Sequence, residues 1–411
     1  MVIGIGVVGL LAQAGWVTLH FSSLPIWFAH HFAFDQTRIL GIAVAAFMVT
    51  EAIFRPPFGI LSDRIGRKPV ILLGTIMSVA SFAIIYMPNP YLIIPFTTID
   101  GIGLAAFWTA SFSFIADTVD ERYRSTAISV LNGSMMGGVA VGWFVGGLVN
   151  TLANTQEDGR ASFYFVSIMF ILATVVGYFL FPPATRPHHE ETEAPTSLRA
   201  ALLDIKNYLY PLKIVPDMIV LNLVVFVAVG LIMPLMKLYA LKQYEGQLNE
   251  FRFGAIVGPA AVMLGVAAVF GGRLSDRWGH VRSVIIGIAL SAVGMWVVAL
   301  APPLITVIAA TVLVGLGTVL AYPSWMAIAV EADPAERGRT IGAVGMAEGI
   351  GAIIGVVLGP LLYTSHRLSI PALGIEPRHV PFYLSAILLT FSFVLSATWV
   401  RAWRTRMKAQ R

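Results

Sequence analysis

The chain has 411 residues, of which 57% are hydrophobic and only 12% are charged, and its mean hydropathy is +0.80. Soluble domains carry about 25% charged residues, so this composition excludes a series of water-soluble domains and indicates a membrane protein. The net charge of +5 does not indicate nucleic-acid binding, because the basic residues stand singly or in short groups between apolar runs. Cysteine is absent, which excludes disulfides and thiolate chemistry.

Charge-free intervals long enough to cross a bilayer follow one another along the chain. A helix needs about 20 apolar residues to cross about 30 Å of hydrocarbon, and the stretches "PNP" and "APP" divide two longer intervals into hairpins. Twelve membrane-spanning helices are predicted, at residues 4–29, 38–61, 69–88, 92–115, 125–149, 161–182, 215–239, 252–272, 282–301, 304–328, 340–363 and 381–401. No charged side chain precedes His20, whereas a secretory signal begins with a basic segment, so we expect the first span to be permanent.

The only long polar stretch lies between spans six and seven and divides the chain into two halves. The predicted units are an N-terminal six-helix bundle at 1–182, a cytoplasmic linker at 183–214, a C-terminal six-helix bundle at 215–403 and a basic cytoplasmic tail at 404–411. Within the linker, Leu198, Leu202, Ile205 and Leu209 share one helical face. This spacing fits a helix in the membrane interface, and an ordinary connecting loop is the alternative.

Basic residues concentrate in the loops on one side of the predicted spans, for example Arg64, Arg67, Lys68, Arg122 and Arg277. Because Lys and Arg favour the cytoplasmic side of a membrane, both termini are predicted to be cytoplasmic. The expected location is the cytoplasmic membrane.

Two polar segments recur about half a chain apart. "SDRIG" at 62–66 returns as "SDRWG" at 275–279, an offset of 213 residues, and "DERYRSTA" at 120–127 matches "AERGRTIG" at 335–342, an offset of 215. Each copy follows the second or fourth span of its half. The two halves therefore form a parallel repeat, an arrangement known from one large class of secondary transporters.

The loop after span two carries a long polar motif, "GILSDRIGRK", which matches the pattern G-x-L-x-D-R-x-G-R-[KR]. The matching residues are Gly59, Leu61, Asp63, Arg64, Gly66, Arg67 and Lys68. With this motif, twelve spans and a central linker, the chain resembles the major facilitator superfamily over essentially its whole length, although His280 and Val281 replace the final basic pair in the second copy. The resemblance implies an all-α polytopic fold of two parallel six-helix bundles and transport by alternating access.

The resemblance also implies a conformational gate at the inner ends of the two halves. Its residues are Gly59, Asp63, Arg64, Gly66, Arg67, Asp117, Asp276 and Arg277. A carboxylate such as that of Asp63 can accept hydrogen bonds from the N-terminus of another helix. The resemblance implies that this helix is span eleven, around residues 339–342, and that Asp117 pairs with Arg64 and Arg67. The simpler alternative is that the basic residues only follow the positive-inside rule.

Five ionisable residues stand out within the predicted spans, where charge is costly and indicates function. They are the candidates for proton coupling or substrate binding: His20, Glu51, Arg55, Asp100 and Glu348. Glu51 and Arg55 stand at i,i+4, either as an internally neutral pair or with Arg55 tuning Glu51 or holding an anion. Glu348 shares its helix side with small residues and should face protein or a cavity. For His20 the alternative is an ordinary buried hydrogen-bonding role.

Two features fit the drug exporters of this superfamily incompletely. Many of those exporters carry an arginine in span four at a place where this chain has Thr97 or a neighbour. Span five has glycines at 133, 137, 138, 142, 146 and 147, which resemble an antiporter motif, but Gly138 stands where proline is expected. These glycines have two interpretations, which are close helix packing and an antiport-specific kink.

Aromatic and methionine side chains near prolines of the spans are candidates for the wall of a solute cavity, with ordinary packing as the alternative for each. They are Trp108, Phe226, Met233, Met236, Tyr322 and Trp325.

Together these features predict a secondary active transporter, embedded in the lipid bilayer as a monomer, with a small-molecule substrate and protons as its partners. The leading hypothesis is proton-coupled efflux of lipophilic or drug-like compounds. The alternatives are proton-coupled uptake of a small organic acid or metabolite, and a receptor or scaffold without transport activity, which would need larger soluble surfaces. We expect no enzymatic activity, cofactor or metal, since no P-loop, metalloprotease motif or nucleophile elbow occurs.

Overall fold

The computed structural model describes residues 2–119, 121–181, 216–332, 337–365 and 376–409. These ranges are helical nearly throughout and contain no strand. The helices are α1 Val2–Val17, α2 Leu24–His31, α3 Arg38–Ile65, α4 Arg67–Val79, α5 Ile93–Thr118, α6 Glu121–Leu152, α7 Arg160–Leu180, α8 Pro216–Ile232, α9 Met236–Gln243, α10 Glu250–Trp278, α11 His280–Ala299, α12 Leu304–Ala332, α13 Arg337–Tyr363 and α14 Val380–Ala409. A π-helical turn, Thr18–Ser23, joins α1 to α2.

Ten segments of the described ranges are long and apolar enough to cross a membrane, and counting two bent helix pairs as one span each gives twelve. One of these pairs is α8 with α9, which meet at an angle of 48° around Pro234. Proline has no N–H to donate and so interrupts the helical hydrogen bonds at such a bend. The predicted all-α architecture of twelve spans is confirmed.

The two "SDR" loops adopt the same backbone turn. Gly66 has φ +97° and its N–H donates to the Ser62 carbonyl at 3.1 Å, while Gly279 has φ +87° and donates to the Ser275 carbonyl at 2.9 Å. This positive φ is open to glycine at little cost. The sequence repeat is therefore also a repeat of local structure.

Glycines bring equivalent helix pairs into close contact in the two halves. A Cβ added at Gly138 would lie 2.6 Å from the Leu10 carbonyl oxygen of α1, and one at Gly359 would lie 2.1 Å from the Leu231 carbonyl oxygen of α8. Small residues allow helix backbones to approach closely in membranes. Gly138, Gly142, Gly146 and Gly147 of α6 thus allow close packing, whereas a Cβ at Gly133 would meet no atom within 4 Å. The helix α6 runs without a break from Glu121 to Leu152.

The described residues group into two compact units that differ from the two sequence halves. The first unit joins the helices before residue 182 with residues 234–262, and the second contains residues 216–233 and everything from 263 onward. The segment 234–262, which comprises α9, the loop after it and the start of α10, thus packs with the N-terminal helices. The predicted linker at 183–214 lies outside the described residues, so the domain boundaries there stay a prediction.

Candidate functional site

A buried histidine–aspartate pair, His20 with Asp100, lies in the first unit. His20 Nε2 is 2.6 Å from Asp100 Oδ2, and the two side chains are 0% and 1% exposed. Trp16 Nε1 donates to the other carboxylate oxygen, Oδ1, at 3.1 Å. Within the described part of the chain, His20 Nδ1 has no hydrogen-bond partner. The arrangement holds one titratable pair away from water with a free ring nitrogen, which suits the binding and release of a proton.

Two local irregularities bring this pair together. His20 lies in the π-helical turn Thr18–Ser23, where the extra residue in the turn changes the direction in which the following side chains point. Gly101 follows Asp100 on α5, and a Cβ there would lie 2.3 Å from the Phe47 carbonyl oxygen of α3. The missing side chain lets α5 approach α3, and the Phe47 ring covers His20 with ring centroids 3.9 Å apart.

Glu51 and Arg55, the other predicted ionisable residues of the first unit, form an ion pair one helical turn apart on α3. Arg55 is 56% exposed and Glu51 is 16% exposed. The contact matches the expected i,i+4 geometry. It pairs the two charges with each other, and a role in coupling or anion binding stays a prediction.

Glu348 lies in the second unit and is held by neutral partners. Asn222 Nδ2 donates to Glu348 Oε1 at 3.1 Å and also to the Val344 carbonyl at 3.1 Å. The Tyr322 hydroxyl donates to Glu348 Oε2 at 3.4 Å. The half-buried carboxylate is therefore fixed in place by an amide and a phenol and has capacity for a further positive partner.

The second unit contains a cavity of about 140 Å³ whose wall includes both hydrogen-bond partners of this carboxylate, although Glu348 itself is not part of the wall. Its wall consists of Asn222, Val225, Phe226, Val229, Ile288, Ser291, Val314, Thr318, Ala321, Tyr322, Trp325 and Leu389. Two of these residues, Asn222 and Tyr322, are the ones that bind Glu348. The cavity is mostly apolar, with a few polar groups on one side, which is the usual chemistry of a site for a small organic ligand.

Three of the six predicted cavity residues line this cavity, and three do not. Phe226, Tyr322 and Trp325 line the cavity of the second unit. Trp108 lies in the first unit, buried against Phe107 and Phe112 with ring centroids 5.3 Å and 5.5 Å away.

Met233 and Met236 stand on either side of the bend at Pro234 and are not among the residues that line this cavity. A cavity role for these methionines and for Trp108 stays a prediction.

The predicted gate contains a compact group of charges centred on Arg67. Its guanidinium lies 2.7 Å from Asp117 Oδ2 and 2.5 Å from Asp63 Oδ1, and it donates to Ser62 Oγ at 2.6 Å. Arg67 is only 8% exposed, whereas Arg64 is exposed. Arg67 thus makes the contact that the sequence predicts with Asp117, and it ties the start of α4 to the ends of α3 and α5.

The second copy of the loop uses different chemistry at equivalent positions. His280 stands 213 residues after Arg67, and its Nδ1 lies 2.9 Å from Ser275 Oγ. Arg277 is exposed. The side chains of Asp276 and of residues 337–343 lie outside the described residues, so the expected contact of Asp63 with the start of span eleven stays a prediction.

The sequence interpretation missed a buried ion pair between Lys237 and Glu250. Lys237 Nζ lies 2.8 Å from Glu250 Oε2, and the two side chains are 1% and 2% exposed. Lys237 falls within the predicted span 215–239, where a charge is costly. That signal could have identified Lys237 in advance, whereas Glu250 lies in a predicted loop and carries no such signal.

Comparison with known proteins shows the family that this chain resembles. Residues 5–266 and, in an overlapping match, 218–411 match the family described as Major Facilitator Superfamily. The chain is 24% identical over 353 residues to "Multi-drug resistance efflux pump PmrA" of Streptococcus pneumoniae, which covers 86% of this chain and 84% of that protein. It is 23% identical over 330 residues to "Proton-coupled antiporter flippase LtaA" of Staphylococcus haemolyticus, which covers 79% and 78%.

A solved structure of a D-xylose-proton symporter matches the fold. The TM-score is 0.74 over 96% of each chain, and the sequence identity is 16%. At this identity the likeness shows a shared fold.

Proposed function

This chain belongs to the major facilitator superfamily, and on that premise we propose that it is a secondary transporter that exports lipophilic or drug-like organic solutes in exchange for protons. Two relatives support this direction, since one is named a multidrug efflux pump and the other a proton-coupled antiporter. The chemistry of the chain's own sites supports it independently.

The observation that carries the proposal is the apolar cavity with Glu348 beside it. Aliphatic side chains and the rings of Phe226, Tyr322 and Trp325 offer a solute about the same environment as the bilayer interior. Glu348 has only neutral hydrogen-bond partners in the described ranges, so a positively charged solute would gain an ion pair there. A lipophilic organic cation satisfies both features.

Proton exchange follows from the same carboxylate. A cation and a proton both favour a position at Glu348, so binding of one weakens binding of the other, and this coupling is reciprocal. The histidine–aspartate pair of the first unit is a second group suited to carry a proton. Export would use the competition at Glu348, because protonation of its carboxylate releases the bound cation.

Proton-coupled uptake of a small organic acid is the second candidate. It is favoured by Arg55, which is more than half exposed, and by Thr97, which stands where drug exporters carry an arginine and is fully buried. The ion pair between Arg55 and Glu51 weighs against it, because an anion would have to compete with Glu51.

The proposal includes an orientation with both termini in the cytoplasm and activity as a monomer in the cytoplasmic membrane. The basic residues of the loops on the side of Arg64 and Arg67 support the orientation.

The test is transport by the purified protein in liposomes under an imposed pH gradient. The probe is a permanently charged aromatic cation, because a weak base would be trapped by the gradient itself. We expect accumulation in liposomes with an acidic interior, at least about tenfold above liposomes that contain Glu348→Gln, since the variant loses the one charge that the described residues place next to the cavity wall. Glu348→Asp serves as the matched control that retains the charge.

Each other outcome has a definite meaning. Accumulation of an organic acid in liposomes with an alkaline interior, above the level that ion trapping alone gives in protein-free liposomes and without movement of the cation, would replace export by uptake symport. Binding without net flux of any compound in a broad panel would contradict transport and favour a receptor.

A further inference from the structure

A lysine–glutamate cluster of four polar side chains lies buried in the first unit. Lys237 of α9 donates to Glu250 Oε2 of α10 at 2.8 Å and to Ser22 Oγ of the π-helical turn at 2.7 Å. Asn150 of α6 donates to the same Glu250 oxygen at 2.8 Å. The cluster therefore binds two elements of the C-terminal sequence half to two elements of the N-terminal half.

Close backbone packing accompanies these polar contacts. A Cβ at Gly147 of α6 would lie 2.5 Å from the Glu250 carbonyl oxygen, and one at Gly254 of α10 would lie 2.3 Å from the Trp143 carbonyl oxygen. Asn150 Oδ1 also accepts from the Ser162 amide of α7 at 2.8 Å. The start of α10 thus sits against α6 with no space for a side chain between them, and the cluster closes one end of this contact.

The order of the spans places the cluster at one particular end of the helices. Ser22 and Asn150 follow the long apolar parts of their spans, whereas Asp63 and Asp117 stand at the opposite ends of neighbouring antiparallel spans. The cluster and the gate around Arg67 therefore lie at opposite ends of the helices.

A buried ion pair is a poor way to stabilise a contact that never opens. Removing two charges from water carries a large desolvation cost, and well-packed apolar residues often hold a contact as firmly or more firmly. Charged groups have an advantage where a contact must part, because they are well solvated once exposed, whereas an apolar surface is not. Transport by alternating access requires helices of the two halves to part at each end in turn.

We infer that Lys237 and Glu250 form the releasable closure at the end of the helices opposite the gate, and that they are positioning residues of the transport cycle. In the arrangement described, the pair holds segment 234–262 on the π-helical turn Thr18–Ser23 and on α6. When the pair opens, water replaces the contacts of Lys237 with Ser22 and of Glu250 with Asn150. The inference rests on secondary transport by this chain but not on the class of solute, and it applies equally to export and uptake.

The test measures directly how often this end of the helices opens. Because the chain contains no cysteine, an introduced thiol is the only site that a maleimide can label at cysteine. Ser23→Cys introduces a thiol next to the cluster at a position that is 0% exposed. Its reaction rate with a membrane-impermeant maleimide, in liposomes, reports how often this end opens, and substrate exchange is measured on the same preparation.

The decisive variant is the apolar double change Lys237→Met with Glu250→Leu. We expect the labelling rate and the exchange rate to fall together by about tenfold, because the apolar contact no longer favours the open, hydrated state. A purely structural ion pair predicts wild-type exchange and wild-type labelling in this variant, and that result would overturn the inference. Asp158→Asn with Arg160→Gln removes an ion pair that is more exposed and is the matched control, expected to change neither rate.

A milder variant keeps the inference testable if the double change does not fold. Ser22→Ala removes a single hydrogen bond to Lys237 and leaves both charges in place. We expect the labelling rate to rise by about fivefold, since the closed state loses one charge-assisted hydrogen bond. An unchanged labelling rate in Ser22→Ala would also overturn the inference. Because labelling requires no known substrate, its outcome is independent of whether the exported solute is a lipophilic cation.

Discussion

The two sequence halves share a backbone plan but not their buried ionisable residues. Gly66 and Gly279 make the same turn, and the pairs α1–α6 and α8–α13 make the same close glycine contact. In contrast, the residues 213–215 positions after Asp100 are Leu313, Val314 and Gly315, and Val314 lines the cavity. The positions equivalent to Glu348 in the first half are Gly133, Ser134 and Met135. The repeat specifies the scaffold, and the residues that depart from the repeat carry the differences in chemistry.

Replacing Asp100 with leucine gives the first half an apolar residue like Leu313, which stands 213 positions after Asp100 in the second half. Asp100→Leu leaves His20 and Trp16 without their buried acceptor, so we expect a loss of about 3 kcal/mol in the free energy of unfolding. Asp100→Asn retains an acceptor oxygen and should lose less than half as much. Thermal unfolding in detergent measures both, and equal stability of Asp100→Leu and the wild type would show that the pair contributes nothing to the fold.

The close helix pairs α1–α6 and α8–α13 are a feature that both halves share. Gly359→Ala places a methyl group 2.1 Å from the Leu231 carbonyl oxygen, and we expect a destabilisation of about 2 kcal/mol. Gly345→Ala on the same helix meets no atom within 4 Å and is the control, expected to be neutral or slightly stabilising because alanine favours helices. Gly138→Ala should resemble Gly359→Ala if the two helix pairs are equivalent, and a neutral result there would separate them.

The smallest expected effect concerns the two "SDR" loops. Arg67 contacts Asp63, Asp117 and Ser62 at once, so Arg67→Lys should cost about 1 kcal/mol through loss of the fork-shaped guanidinium. His280→Gln, at the equivalent position, should cost about 0.5 kcal/mol or less. Thermal unfolding of both variants measures the difference. A larger effect of His280→Gln would show that the second loop carries more of the stability than its degenerate sequence indicates.

The length of the apolar segments was sufficient to predict the spans. Inside a bilayer, a single apolar segment can satisfy all of its own backbone hydrogen bonds only as a helix. The motif at Gly59–Lys68 was sufficient to predict the turn at Gly66, which depends on residues of one loop. The contact of Arg67 with Asp117, 50 residues away, was predicted only through the family resemblance that the motif carries. The pairing of His20 with Asp100 was not predictable, because it depends on an irregular turn that hydropathy does not reveal. Glu250 was missed for a related reason, since only packing of α10 on α6 buries it.

The π-helical turn Thr18–Ser23 connects two of the sites through a single backbone irregularity. It presents His20 to Asp100 and, two residues later, Ser22 to Lys237. Deleting one residue from the turn would restore the α-helical register and rotate everything on one side of it by about 100° relative to the other. Such a deletion cannot preserve both contacts. The length of this turn is therefore fixed by the need to place His20 at Asp100 and Ser22 at Lys237 at the same time.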